Sequence, residues 1–565
     1  MKRLLLIMTL AGLAVAASPQ LSAPQAQIVA ALNRLTWGIE PGQVKAVEKI
    51  GLNRWIDQQL HPEDIAENLE LNVRLQQLAT LHETPAQIIA NYPPPQALRQ
   101  MARGKRPLPR DPLLREIVQR EISDRQPKRT GKPVTAVPAG MLLSPPAPRL
   151  QAQEYRALPA DARQQEALIM PAGMANRIAP WLPLGEARQL IYDQRPQLVP
   201  AFDLTSGKIL RAVYSTRQLQ DVLTDFWFNH FNVFIRKGDE SDLIASFVRD
   251  AIRPHVLGKF RDLLVAAAET PAMMFYLDNW QSVDPAVNKR GINENYGREL
   301  MELQTLGVNG GYTQQDVIAV AHCFTGWTIR QPGRLAEFYY NDRLHDPGPK
   351  LVLRVKIPAG GGMSDGLKVL DMLARSPATA HHVSFELAQR FVADDPPPAL
   401  VEGMTQTWLH SDGDLRQVME TMLQAPEFWQ AASQRSKIKS PLQLVVSSVR
   451  ALDAEVTNPV ALSREIAAMG EPLYAKEPPT GYTNNSAQWV STSGLIARMQ
   501  FATRLAANQV PGVQVELTTL GSAAEFTQAL LHQVPAQAEQ SGLEDAKNRE
   551  QLAALILGSP EFQKR

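Results

Sequence analysis

Cysteine is all but missing from this 565-residue chain: Cys323 stands alone. A chain with one thiol has no internal disulfide framework, so its stability must come from a core. Without Cys partners Cys323 cannot anchor a thiolate metal cluster either, and it reads as a small packed hydrophobe. Net charge is missing as well. Lys and Arg number 58 against 57 Asp and Glu, a formal +1, which argues against attachment to nucleic acid by bulk electrostatics. Standard catalytic signatures are absent too. The chain has no His-Glu-x-x-His of a zinc peptidase and no Ser in a nucleophile elbow. Gly360-Gly361-Gly362 reads as a mobile loop, because it lacks the combination of a preceding strand with the Gly-Lys-Ser or spaced glycines of a phosphate cradle.

Long hydrophobic runs are confined to the start. Met1-Lys2-Arg3 leads into an apolar stretch from Leu4 to Ala17, with small residues at Ala14-Val15-Ala16. This is the pattern of a secretory signal peptide over 1–17, and it falls short of the ~20 residues needed to span a bilayer. The expected location is therefore periplasmic or extracellular, with no stable transmembrane segment after processing. No Cys follows the run, so a lipoprotein anchor there has no basis.

What is present is helical spacing. Gln27 to Arg34 opens the mature chain as a helix, and Val44 to Leu60 continues with Ile50, Trp55, Ile56 and Leu60 as apolar positions. Leu113 to Ile122 is a further short helix. Prolines and small residues from Pro127 to Pro148 predict a loop or a partly disordered crossing. The stretch from about Arg211 to Trp327 is the densest helical part. Thr270-Pro271 and Ser376-Pro377 each place a capping residue before a first-turn proline. Between residues 336 and 357 the pattern changes: Phe338 to Tyr340 and Leu351 to Val355 predict two strands of one hairpin. Leu423 to Trp429 resembles Leu557 to Phe562, with a looser version from Leu264 to Met273, and a helix followed by a proline corner explains all three. The predicted fold class is mainly α, a large multi-helical globular fold with a small β-hairpin insertion, in one or two lobes over 24–565.

The most informative run is Asn293 to Leu303, which crowds acids, an Arg and two Asn into an otherwise apolar helix. At about 100° per residue, Tyr296, Leu300 and Leu303 form an apolar stripe, and Asn295, Glu299 and Glu302 an adjoining polar one. Glu294 and Arg298 fall on the far side with ordinary ion-pair spacing. Glu299 and Glu302 are left to hold a cation, receive donors or share a proton, or to serve a purely structural network. Gly307 fits a helix stop, and Thr313 caps the next helix with Asp316.

Three other polar intrusions stand out. His230 and Asn229 sit inside the aromatic cluster Phe226 to Phe234, where a buried His either is a satisfied core residue or presents a nitrogen to a metal or proton. His345-Asp346-Pro347-Gly348-Pro349-Lys350 lies on the hairpin turn, where Asp orients imidazole and Lys supplies positive charge, although turns use Asp, Pro and Gly anyway. His322 points away from the buried face of Val317, Val320, Ala321 and Phe324, toward solvent or a partner. His255 reads as part of a helix cap, and the adjacent His381 and His382 do not easily address one centre.

At these residues the chain resembles the bacterial DUF1800 family of unknown function. Phe226 to Phe231, Ile252 to Phe260, Tyr276 to Asn279, Asn293 to Tyr312 and Phe324 to Trp327 carry the resemblance. It continues through His345-Asp346, Gly348, Lys350, Arg390 to Val392, Asp394 to Pro397, Ser411 to Leu415 and Pro426 to Phe428. The resemblance implies an exported, mostly helical protein. It also implies a partner, since members are often encoded near exported proteins that resemble sulfatases and alkaline phosphatases. It carries no known activity, cofactor or catalytic residue. This chain departs from the family in having His322 where members often have Arg, and in the Pro-rich insert.

Two functions follow as expectations. One is an envelope hydrolase whose catalytic groups are His230, Glu299, Glu302, His345, Asp346 and Lys350. The first five of these would be ligands of a divalent metal such as zinc, manganese or magnesium. The other is a noncatalytic helical scaffold or binding protein for an exported enzyme or a cell-envelope polymer. Convergence of the five ligands in one hydrated pocket separates them.

Overall fold

A Ser or Thr followed by proline starts helix after helix. Thr84, Thr270, Ser376, Ser440 and Ser559 each precede a first-turn Pro and accept a hydrogen bond from a backbone N–H of the same turn. Proline presets φ and gives up an N–H that has no helical partner there, while the side chain satisfies another. The same device makes two of the three corners expected from sequence; at the third, Ala425 precedes Pro426 and supplies no capping side chain. Phe260–Ala268 turns into Pro271–Tyr276, Leu415–Gln424 into Pro426–Gln434, and Arg549–Gly558 into Pro560–Gln563.

The computed structural model describes residues 22–125, 147–517, 523–532, 543 and 546–565. The signal segment 1–17 and residues 127–146 of the Pro-rich stretch lie outside them. Ala147 and Pro148 are inside, as the N-cap and first residue of the helix Pro148–Ala157. Among the described residues the protein is mainly α-helical with a few short hairpins, and no helix is long and apolar enough to cross a membrane.

Two expected elements are divided. The helical spacing from Val44 to Leu60 belongs to two helices, Gln43–Ile50 and Leu52–Leu60, separated at Gly51, whose φ of +89° no other residue type adopts readily. The single expected hairpin is two. Trp327–Arg330 pairs with Glu337–Tyr340, and Lys350–Val352 pairs with Val355–Ile357, both antiparallel. Leu353 and Arg354, read as mid-strand, both take positive φ and form the two-residue turn, the backbone signs of a tight primed hairpin turn. Asp316 accepts a 2.7 Å hydrogen bond from the Leu353 N–H and so fastens that turn to the start of the helix Gln314–Cys323.

The main core is continuous from Ile28 to Phe562, with a small satellite around Leu98, Leu114 and Val118. At its centre every residue of the helix Pro441–Ala451 is buried. Sequence-distant parts close over it. The Arg34 guanidinium donates to the Ala431 carbonyl, and Ile438 bridges to Lys564.

Candidate functional site

The run Asn293 to Leu303 folds as the helix Glu294–Glu302, capped by the Asn293 side chain on the Tyr296 N–H. Tyr296 and Leu300 are fully buried, as the apolar stripe requires. Gly297 lets this helix lie against the helix Gln314–Cys323: a Cβ there would stand 2.8 Å from the Val317 carbonyl oxygen. Glu294 and Arg298 do not pair directly. Gln314 bridges them, donating to Glu294 at 2.8 Å and accepting from Arg298 at 2.7 Å. Glu302 accepts from the Tyr312 hydroxyl at 3.2 Å. Partial burial, with Glu302 beside it, raises the Glu299 carboxyl above its usual value against the pull of Arg298. Asn295 is exposed.

His230 is buried behind this helix. Its Nδ1 lies 2.7 Å from Glu386 Oε2 and its Nε2 3.1 Å from the Gln304 carbonyl oxygen. Both ring nitrogens are within hydrogen-bond reach of protein oxygens, so neither is open toward a metal. Burial works to raise Glu386, yet His230 and His382 hold its carboxyl below the usual value. His382 is itself lowered, by burial first and then by His230 against the opposing pull of Glu386. Asn229 has a different task. Its side-chain amide donates to the Tyr482 carbonyl and accepts from the Tyr482 N–H, both at 2.6 Å. It thereby pins the loop after residue 480 onto the helix Gln218–His230.

His345, Asp346 and Lys350 form a third group with two residues not singled out as its members, His322 and Asp365. His345 Nδ1 lies 2.8 Å from the Thr325 carbonyl oxygen, and its Nε2 3.3 Å from Asp365 Oδ2. Lys350 Nζ donates to the same oxygen at 2.8 Å. All three side chains are closed off from solvent. Asp346 sits at the rim, 2.6 Å from His322 Nδ1, so His322 faces a partner inside the fold and not solvent. Burial opposes the charge on Asp346, but the Gly348 N–H, Lys350 and His322 together keep its carboxyl below the usual value. Burial raises the neighbouring Cys323 thiol to about 12, consistent with a packed hydrophobe.

The six expected site residues thus make their contacts in three separate groups. Among the described residues no three His, Cys, Asp or Glu side chains are placed to hold a metal ion. His230 has its nitrogens engaged, and His345 and Lys350 are sealed in a buried cluster with Asp365. The donor set does not fit a shared divalent metal.

A polar hollow with room for about 60 Å³ lies elsewhere, where the helix Gln218–His230 meets the end of Pro377–Phe391, the approach to Pro441–Ala451 and the loop through residues 471–489. Phe226, Phe228 and Asn229 line one side. Lys208, Asp225, Arg390, Lys437, Glu471 and Arg565 bring charge to its walls, and Tyr482, Asn484 and Trp489 form a rim. Lys208 pairs with Asp225, and Lys437 with Asp394 behind the wall. Asp394 also accepts from the Ser486 N–H at 3.0 Å. Burial would raise Asp394, but these bonds hold it below its usual value. Burial and the nearby Arg565 push Lys437 down to about 7 despite Asp394. Burial, with Asp225 beside it, lifts Glu471 to about 7. A second hollow of about 150 Å³, bordered by Trp37, Leu204, Arg211 and Arg253, shares Lys208 and Asp225 with the first.

Arg390, Lys437, Glu471, Tyr482 and Arg565 were not singled out from sequence as site residues. One signal was legible: Lys437-Ile438-Lys439 places two lysines immediately before an apolar helix, a costly arrangement unless they meet something. Glu471, Tyr482 and Arg565 carry no comparable mark.

A family model described as a protein of unknown function, DUF1800, matches residues 30–564. No curated protein and no solved structure matches the chain.

Proposed function

Since the chain belongs to the DUF1800 family, whose description names no activity, we propose a function from the site alone: an exported binding protein that seats one polar substituent of a cell-envelope polymer in the hollow beside Asn229. One observation carries this reading. Charged, amide and aromatic side chains from sequence-distant segments line a single hollow, the arrangement of a ligand site. Its volume suits a projecting group and not a whole chain. Tyr482 and Trp489, with ring centroids 5.8 Å apart and planes tilted by 48°, provide an aromatic wall at the rim, and amphipathic rings of this kind bury area while keeping a polar edge. Export rests on the first 17 residues, and an exported sulfatase-like or phosphatase-like partner rests on the family resemblance.

Hydrolysis at a centre shared by His230, Glu299, Glu302, His345 and Asp346 has no support in their contacts. The hollow does hold groups suited to proton transfer, Glu471 and Lys437, both near 7.

The test is a titration of the purified chain with neutral and acidic envelope oligosaccharides, followed by tryptophan fluorescence and by product analysis. A saturable change that disappears in Trp489→Phe and weakens in Asn484→Ala is the expected result. No saturable change with any oligosaccharide overturns the reading. Turnover that is lost in Glu471→Gln would convert it into a hydrolase reading at this hollow.

A further inference from the structure

We propose that the substituent held beside Arg390 is a tetrahedral oxyanion, a sulfate or phosphate group; the proposal rests on the binding reading above and narrows it to one ligand chemistry. Positive side chains around the hollow outnumber the carboxylates that pair with them. Of the cations lining the hollow, Lys208 is paired with Asp225 and Lys437 with Asp394. Arg390 and Arg565 are left over, and Arg34 adds its charge behind them. Against these three, the hollow's lining offers one further side-chain carboxyl, Glu471, with the α-carboxylate of Arg565 and the attraction of Asp394 for Arg565 and Arg34 beside it.

The leftover guanidiniums are also short of hydrogen-bond acceptors. Arg390 is only 7% exposed and lines the hollow. Among the described residues its guanidinium has no hydrogen bond and no ion pair, only ring contacts with Trp37 and Phe391 at 6.0 and 5.8 Å. Arg565, 3% exposed, spends one nitrogen on the Arg390 carbonyl at 2.7 Å, while its Nε and Nη1 have no partner. The Nε and Nη1 of Arg34 are likewise unpartnered. Buried cationic donors without acceptors are expensive, and the planar fork of arginine matches the oxygens of sulfate and phosphate.

Size is compatible with this class. A water-sized group needs roughly 10–15 Å³ of such space, so a hollow of about 60 Å³ takes about four to six, enough for the four oxygens of a tetrahedral oxyanion. The guanidinium forks favour sulfate or phosphate, and the experiment separates them.

The full mature chain is titrated with sodium sulfate, phosphate and acetate, each against chloride at matched ionic strength, with thermal midpoint and calorimetry as readouts. Sulfate and phosphate stabilise many proteins by exclusion from the surface, but that effect does not saturate. The expected result is a saturable rise with sulfate, phosphate or both, lost in Arg390→Gln and at least tenfold weaker in Arg390→Lys. Without anion, Arg390→Gln should melt at or above wild type, because it removes an unmatched buried charge; Arg390→Lys keeps the charge and serves if the glutamine variant fails to fold.

A rise that never saturates, or a saturable rise unchanged in both variants, overturns the oxyanion site. Saturation by acetate equal to that by sulfate and phosphate overturns the tetrahedral assignment. If the anions fail while neutral oligosaccharides still perturb Trp489, only this inference falls; if both fail, the binding reading falls with it.

Discussion

Replacing Asn229 by Ala should loosen the wall of the hollow without unfolding the core. The side chain makes two 2.6 Å hydrogen bonds to the backbone of one residue, Tyr482, in opposite donor and acceptor senses. Each bond of this kind contributes about 1 kcal/mol net, and a partly buried backbone group left without a partner adds to the loss. A local cost of about 2–3 kcal/mol follows from that sum. At about 1.4 kcal/mol per tenfold, the Tyr482 amide should exchange with deuterium roughly thirty- to over a hundredfold faster. Exchange is the right assay because a chain of this size need not unfold in one step, so a single midpoint can miss a local opening. Amides in Pro441–Ala451, buried throughout, should keep their protection. Asn229→Asp is a sharper variant: it preserves the acceptor toward the Tyr482 N–H and sets an oxygen against the Tyr482 carbonyl, so it should exchange at least as fast as Ala. Unchanged Tyr482 protection in Asn229→Ala would refute the pinning argument.

Other predictions are independent of any ligand. Gly481→Ala should reproduce the Asn229→Ala exchange pattern, because Gly481 has φ +65° and an added Cβ would stand 2.3 Å from the Asn229 carbonyl oxygen; wild-type exchange in that variant would contradict it. Glu240 is fully buried with both carboxylate oxygens unpartnered, and burial raises its pKa well above 4.5. A raised acid favours folding in its protonated form, so its contribution is complete below pH 4.5 and is lost as pH rises toward the folded value. Glu240→Gln should therefore gain thermal midpoint relative to wild type at pH 8 over its difference at pH 4, and equal differences at the two pH values would count against this. Lys350→Met leaves the enclosed Asp365 carboxyl without its lysine partner, at a cost of about 3–5 kcal/mol. Adding Asp365→Leu should restore much of the loss, and a double variant no more stable than Lys350→Met would show that the pair is not the source.

Local features of the chain were readable because their causes are local. Ser376-Pro377 and Thr270-Pro271 begin helices since the cap and the preset φ lie within one turn. The angular pattern in Glu294–Glu302 correctly buried Tyr296 and Leu300. Gly51 was overlooked because the apolar spacing runs through it, although a left-handed residue there breaks the backbone. The turn at Leu353-Arg354 had no glycine or asparagine to announce it; its support comes from Asp316, 37 residues earlier. The site was harder still. Periodicity says which way His230 and His322 point but not what waits there, and Glu386 is 156 residues from His230. Arg390, Glu471 and Arg565 acquire meaning only when folding sets them around one space.

The Asn229–Tyr482 pairing joins residues 253 apart. A contact that closes so long a loop gives nothing back until most of the chain has been organised, and such contacts form late. During synthesis the helix Gln218–His230 is complete hundreds of residues before its covering loop exists. No amino-terminal fragment that lacks the loop can present the hollow, and under the proposed binding function occupancy of the hollow reports that this long loop has closed.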